Sequence, residues 1–107
     1  MNKCIAERRL LYSLKNSDKA NEFVIRIGEP YLLNEGDVDF PIHEGAAGCS
    51  FEFEGFPEEI NEEVHGADLL QALQFAVDVE PILKNKSKKY NIYYPTGEPY
   101  FDDESNT

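Results

Sequence analysis

One stretch limits the architecture more than any other: Gly66 to Lys84, GADLLQALQFAVDVEPILK. It is the only long run whose apolar residues recur at helical spacing. Leu69, Leu70, Ala72, Leu73, Ala76, Val77, Val79 and Leu83 cover a wide arc. Gln71, Gln74 and Asp78 form a narrow polar stripe. A helix this apolar must lie across a sheet and bury most of its circumference. Asp68 stands where an N-cap or first-turn acid belongs, near the positive end of the helix dipole. Pro81 should kink the helix or end its regular part, because an interior proline loses one backbone bond and clashes one turn back. Lys84 and Lys86 suit the negative C-terminal end.

The segments around this helix read as short strands. In Cys4–Lys15 the residues Cys4, Ala6, Leu10, Tyr12 and Leu14 share one parity, with Glu7, Arg9 and Ser13 on the other. Arg8 breaks the pattern, and the residue types also allow a helix. The turn signal NSDKAN that follows favours a strand. Residues 22–28, EFVIRIG, are the clearest strand, with Phe23, Ile25 and Ile27 on one side and Val24 and Arg26 on the other. Glu29–Pro30 ends it. Residues 31–47 form a long loop with a short extended piece around Val38–Ile42, the kind of segment that binds or moves. Residues 48–54, GCSFEFE, alternate strictly, with Cys49, Phe51 and Phe53 inward. PEEINEEVHG is an acidic linker into the helix, with Ile60 and Val64 as packing points. A last strand covers Asn91–Tyr94, and Pro95 stops it.

These elements predict an α+β fold: an antiparallel sheet of about four strands with one long helix packed on one face, in the order β-β-β-α-β. The inward Phe23, Phe51 and Phe53 should meet Leu70, Leu73 and Val77. A chain of 107 residues fits one domain, placed at 1–101, with 102–107 as an acidic frayed tail. No apolar run reaches the ~20 residues that span a bilayer. The N-terminus MNKCIAERRLLYSLK has charges inside its apolar part and no small-residue cleavage site, so it reads as neither signal peptide nor anchor. Cys4 and Cys49 are too few for a disulfide scaffold, which points to reduced thiols and a cytoplasmic location.

The formal net charge is -11, and its distribution along the chain is uneven. No Lys or Arg occurs from 27 to 83. The bases sit at the two ends, from Lys3 to Arg26 and from Lys84 to Lys89. Such a field repels nucleic acid and anionic membranes and attracts cations and basic protein surfaces. The plain alternative is that the acids only keep the protein soluble.

No catalytic motif is present. Cys49 points inward on its strand, and His43 and His65 fall in loops, so a thiolate–imidazole pair has no support in the spacing. The same residues lack zinc-site spacing. Asp37 and Asp39 in NEGDVDF begin like a calcium loop, but the glycine and closing glutamate of an EF-hand are not in place. Neither a metal nor a cofactor is expected. Tyr90, Tyr93, Tyr94, Tyr100 and Phe101 read first as cover for the sheet or helix end, and second as a recognition patch.

The strand GCSFEFEG, the acidic linker and then Gly66, Asp68, Leu70, Gln71, Ala72, Leu73 and Ala76 resemble a group of small bacterial proteins. In that group a Cys-bearing strand precedes a G-x-D-x-L-Q-A-L-x-x-A helix. Residues 8–10, RRL, and 27–30, IGEP, are similar too. That resemblance implies architecture and carries no activity. In size, acidity and lack of catalytic groups the chain also resembles the immunity proteins of contact-dependent growth inhibition systems. Such proteins are cytoplasmic and bind a toxin domain, often a nuclease with a basic groove. The resemblance implies a non-enzymatic, protein-binding role with acids as the contact residues: Glu52, Glu54, Glu58, Glu59, Glu62 and Glu63, then Asp37 and Asp39. The competing expectation is a small-molecule or enzymatic domain with a pocket between the sheet and the 31–47 loop.

Overall fold

The computed structural model describes residues 3–36, 38 and 41–101. In chain order these form β1 (Cys4–Leu14), β2 (Asn21–Gly28), β3 (Tyr31–Leu32), β4 (Ala47–Glu54), β5 (Ile60–Gly66), α1 (Leu69–Val77), α2 (Glu80–Lys86) and β6 (Tyr90–Tyr93). The α+β class and the antiparallel sheet agree with the sequence reading. The strand count and order do not: six strands replace four, and the order is β-β-β-β-β-α-α-β. No helix among the described residues is long and apolar enough to cross a membrane.

The alternation in β1 and β2 becomes an antiparallel pairing that is regular from Ala6↔Ile27 to Tyr12↔Asn21 and shifts register by one before Cys4↔Gly28, so β1 is a strand and not a helix. The second half of β1 pairs on its other side with β6, Leu11↔Tyr93 to Leu14↔Tyr90. β4 pairs with β2 along Phe51–Glu54 and with β3 at Ala47 and Gly48. The register slips by one residue between these two blocks. β3 is therefore the continuation of β2 beyond Glu29–Pro30, where proline interrupts the ladder without turning the chain away. β5 lies along the other side of β4, from Ala47↔Gly66 to Phe53↔Ile60.

β5 is the first correction. Its sequence, INEEVHG, reads as linker because only Ile60 and Val64 are apolar. An edge strand has one neighbour, and charge along it discourages pairing with other chains. The second correction is the helix. It breaks at Asp78–Val79, three residues before Pro81. Asp78 has φ -81° and ψ 72°, and the Val79 N–H donates to Val77 O at 2.9 Å, which is an inverse γ-turn. In a continuous helix the Pro81 ring would clash with the Val77 carbonyl. The turn removes that clash and gives the carbonyl another donor. Pro81 then sits in the first turn of α2, where no amide donor is needed.

The start of α1 explains the Gly-x-Asp-x-x-Gln spacing. The Asp68 carboxylate accepts from Gln71 N at 2.8 Å, and Gln71 Oε1 accepts from Ala67 N at 2.6 Å. Two free amides at the helix start are thus satisfied reciprocally. A side chain at Gly66 would place its Cβ 2.6 Å from Ala72 N, so glycine is what lets α1 settle onto β5.

That close approach sets which side of the helix is buried. Ala72 and Ala76 face the sheet, followed by Val79 and Leu83, and all four are buried with Leu10, Phe23, Ile25, Ala47, Cys49, Phe51 and Phe53. The expected contacts of Leu70 and Val77 with the phenylalanines are corrected: these side chains are 65% and 50% exposed, and Leu73 is only partly buried. Arg8 lies on the helix side of the sheet, opposite Ile25. Its guanidinium donates to the Tyr100 hydroxyl at 2.9 Å and lies 3.5 Å from the Glu80 carboxylate. The apparent break in the β1 pattern is therefore a tie from the sheet to the start of α2.

Candidate protein-binding surface

The acids proposed as contact residues fall into distinct settings. Glu52 and Glu54 are on the outward face of β4, opposite Arg26 and Val24 of β2. Glu63 is outward on β5, opposite Ser50, and its carboxylate meets His65 Nε2 at 2.9 Å. Glu62 has the inward parity of β5 but is exposed at the sheet edge. Glu58 and Glu59 occupy the turn before β5. Asp37 and Asp39 lie outside the described residues.

Sequence separation of charge does not survive folding on the open face of the sheet. Arg26 Nε lies 3.4 Å from Glu7, and the same guanidinium pairs with Glu54. Arg9 reaches Glu22 at 2.9 Å and Glu7 at 3.4 Å. Two arginines from β1 and β2 thus lace across glutamates of β1, β2 and β4. Exposed pairs of this kind contribute only about 0–1 kcal/mol each to stability, but they do neutralise part of the face. The β1–β2–β4 register that creates them was not readable in the linear sequence.

Glu58 has a different role. Its carboxylate bonds to Lys86, and its other oxygen is 3.3 Å from Lys89 Nζ. The hydrogen bond from Lys86, with another from Tyr90, pulls the Glu58 carboxyl down to about 2. This group ties the β4–β5 turn to the end of α2. Among the described residues, Glu52, Glu59 and Glu62 make no side-chain ion pair. The acidic potential therefore concentrates at β5 and the outer half of β4.

The histidines and cysteines separate. Cys49 is buried on the helix side, where its thiol donates to Gly28 O at 3.2 Å and burial pushes its pKa up. His65 is on the opposite side of the sheet, across from Gly48. Rather than lying in a loop, His65 is part of β5. His43 Nε2 is 3.2 Å from Ala67 O. Both histidines line a hollow of about 330 Å³ beside the loop after β3, together with Leu33, Ile42 and Gln71. Among the described residues, no three His, Cys, Asp or Glu side chains cluster as metal ligands would.

The C-terminal aromatics divide. Tyr90 is in the core and Tyr93 bonds Ser13 at 3.2 Å. Tyr94, Tyr100 and Phe101 form a chain of ring contacts at 4.9 and 5.1 Å. Burial and the hydrogen bond to Glu80 push the Tyr100 hydroxyl up to about 12.

No family model matches this chain, and no curated protein or solved structure matches it.

Proposed function

We propose that this chain is a protein-binding module of the immunity type, which binds a toxin domain with a basic surface, such as a nuclease, and occludes its active site. The observation that carries this reading is a group of acids without ionic partners around β4 and β5: Glu52 on the outward face of β4, Glu59 in the turn before β5 and Glu62 on the edge strand β5, next to Glu63. Acids held on a paired strand are pre-positioned, so they can steer a basic partner toward about 10⁸–10⁹ M⁻¹s⁻¹ at low salt. Glu54 and Glu58 contribute less, because Arg26 and Lys86 already hold them.

The test begins with affinity capture from the native strain and identification of the retained protein. Association kinetics with that protein then follow as a function of salt. The variant Glu52→Lys/Glu59→Lys/Glu62→Lys/Glu63→Lys should associate more slowly, with a flatter salt dependence. Unchanged rates and unchanged protection from the toxin would remove this surface from the reading.

A second reading rests on the hollow lined by His43 and His65, which takes up the competing expectation of a pocket beside the 31–47 loop. It would hold a small polar ligand. Ligand-induced shifts of the two imidazole resonances in a metabolite screen would favour it.

A further inference from the structure

The outer edges of the sheet differ in what they leave open. On β6 the chain covers its own edge, because the Tyr100 N–H donates to Ile92 O and Tyr93 bridges to Pro99. On β1 the stretch before Leu11 lies beyond β6, but its register shifts between Cys4 and Ala6, and an irregular edge of this kind resists pairing. β5 has neither protection. It matches β4 from Ala47↔Gly66 to Phe53↔Ile60 with no shift, and β4 is the one strand that it pairs with among the described residues. Its sequence, INEEVHG, contains no proline. In an antiparallel ladder alternate residues direct N–H and C=O away from the partner strand. On β5 these groups meet no backbone donor or acceptor among the described residues.

We propose, on the reading of the chain as a binder of basic proteins, that β5 accepts an extended segment of the partner as a further antiparallel strand, and that this segment carries two consecutive Lys or Arg residues. Cross-strand neighbours share a face of the sheet, with Cβ atoms about 5 Å apart. Glu63 is on the open face, where it meets His65. Glu62 has the helix-side parity and makes no ion pair among the described residues. Successive bases on an added strand point to opposite faces, so each reaches one of the two glutamates. Asn61, Glu62 and Glu63 are all exposed, whereas α1 closes on the strand at Gly66. Charge also excludes the other occupants. β5 holds two glutamates and no Lys or Arg, so pairing with a second copy or with an acidic strand sets acid beside acid. The backbone ladder supplies affinity, and the two bases supply selection.

The test uses the full chain and a Thr/Val peptide with two central lysines, with a peptide of the same length carrying two central glutamates as control. The lysine peptide should bind and slow hydrogen exchange at alternate amides of β5, the pattern that a new ladder on one edge requires. Methylation of the peptide's backbone nitrogens at alternate residues should abolish binding in one of the two registers and spare it in the other. Glu62→Lys/Glu63→Lys should weaken binding about tenfold or more, with its amide spectrum otherwise preserved. Binding that tolerates both methylation patterns overturns the added strand and leaves the acids as side-chain contacts of the proposed function. Absence of binding by the lysine peptide also overturns the strand, while slowed association of the captured toxin with the four-lysine variant would still uphold the acidic surface. Equal binding of the glutamate peptide, or unchanged binding by Glu62→Lys/Glu63→Lys, overturns the basic segment. Concentration-dependent protection of the same amides without peptide would seat a second copy on β5 and overturn the partner strand.

Discussion

The two ends of the sheet are built differently. At one end, where β4 finishes and β6 begins, Phe56 is the hub of an aromatic cluster. Its ring centre lies 4.9 Å from Phe23, 5.1 Å from Tyr90, 5.4 Å from Tyr12 and 5.9 Å from Phe53, mostly in tilted or edge-on geometry. Glu58 with Lys86 and Lys89 closes over it. At the other end, where β1 starts and β4 starts, the core thins. Ile5, Leu32 and Leu70 are exposed, Tyr31 covers Gly48 in place of a larger side chain, and the clefts beside α1 and the 31–47 loop open. One end carries the stability and the other has surface left to meet a partner. Tight packing and spare apolar surface are alternatives at any one place, and this chain divides them along its length.

That contrast can be broken most directly in the aromatic end. Phe23→Ala should cost about 3–5 kcal/mol in chemical denaturation, because a fully buried ring is removed from a packed cluster. A cost below about 1 kcal/mol would place the core elsewhere. Gly66→Ala should follow, at about 1–3 kcal/mol, since its Cβ meets backbone and not a movable side-chain tip. Asp68→Ala should cost about 1 kcal/mol through loss of the helix cap, and Asp68→Asn should restore most of it. Glu58 makes a contribution visible only in acid. Its carboxyl is lowered from 4.5 to about 2 on folding, so its stabilisation is complete above about 4.5 and disappears as pH falls to about 2. The denaturation midpoints of the wild type and Glu58→Gln should therefore converge over that interval, and a constant gap would show that the carboxylate is not the cause. The smallest effect belongs to the open end. Leu70→Ser should change stability by no more than about 0.5 kcal/mol, because the side chain already faces solvent. A loss of several times that amount would mean this face of α1 is part of the core.

Strict alternation made β2 and β4 legible, but Glu29–Pro30 was read as the end of the strand and 31–47 as loop, whereas the ladder resumes beyond the proline as β3. The helical stretch was located, but its buried face was not. A count of large apolar residues favours Leu70 and Val77, whereas the distance of α1 from the sheet favours Ala72 and Ala76. Only the close approach at Gly66 decides between them, and that depends on tertiary geometry. β5 escaped notice because an edge strand with Glu59, Glu62 and Glu63 around it has the composition of a linker. The role of Phe56 was not legible, since its partners Tyr12, Phe23 and Tyr90 are remote in sequence. The acidity of the candidate surface was plain from composition. Its partial neutralisation by Arg9 and Arg26 was not, because cross-strand register is a long-range property.

The pairing of β1 with β6 has a consequence for how the chain reaches this state. Ser13 and Tyr93, hydrogen-bonded across that seam, are 80 positions apart. A growing chain leaves the ribosome with the outer edge of β1 unpaired until β6 has been synthesised. Closing so distant a contact late in assembly places folding toward the slower, millisecond-to-second range of small domains. During that wait the half-finished sheet presents Leu11 and Tyr12 along an open edge, so overexpression at high temperature should yield misassembled protein before it yields inactive folded protein.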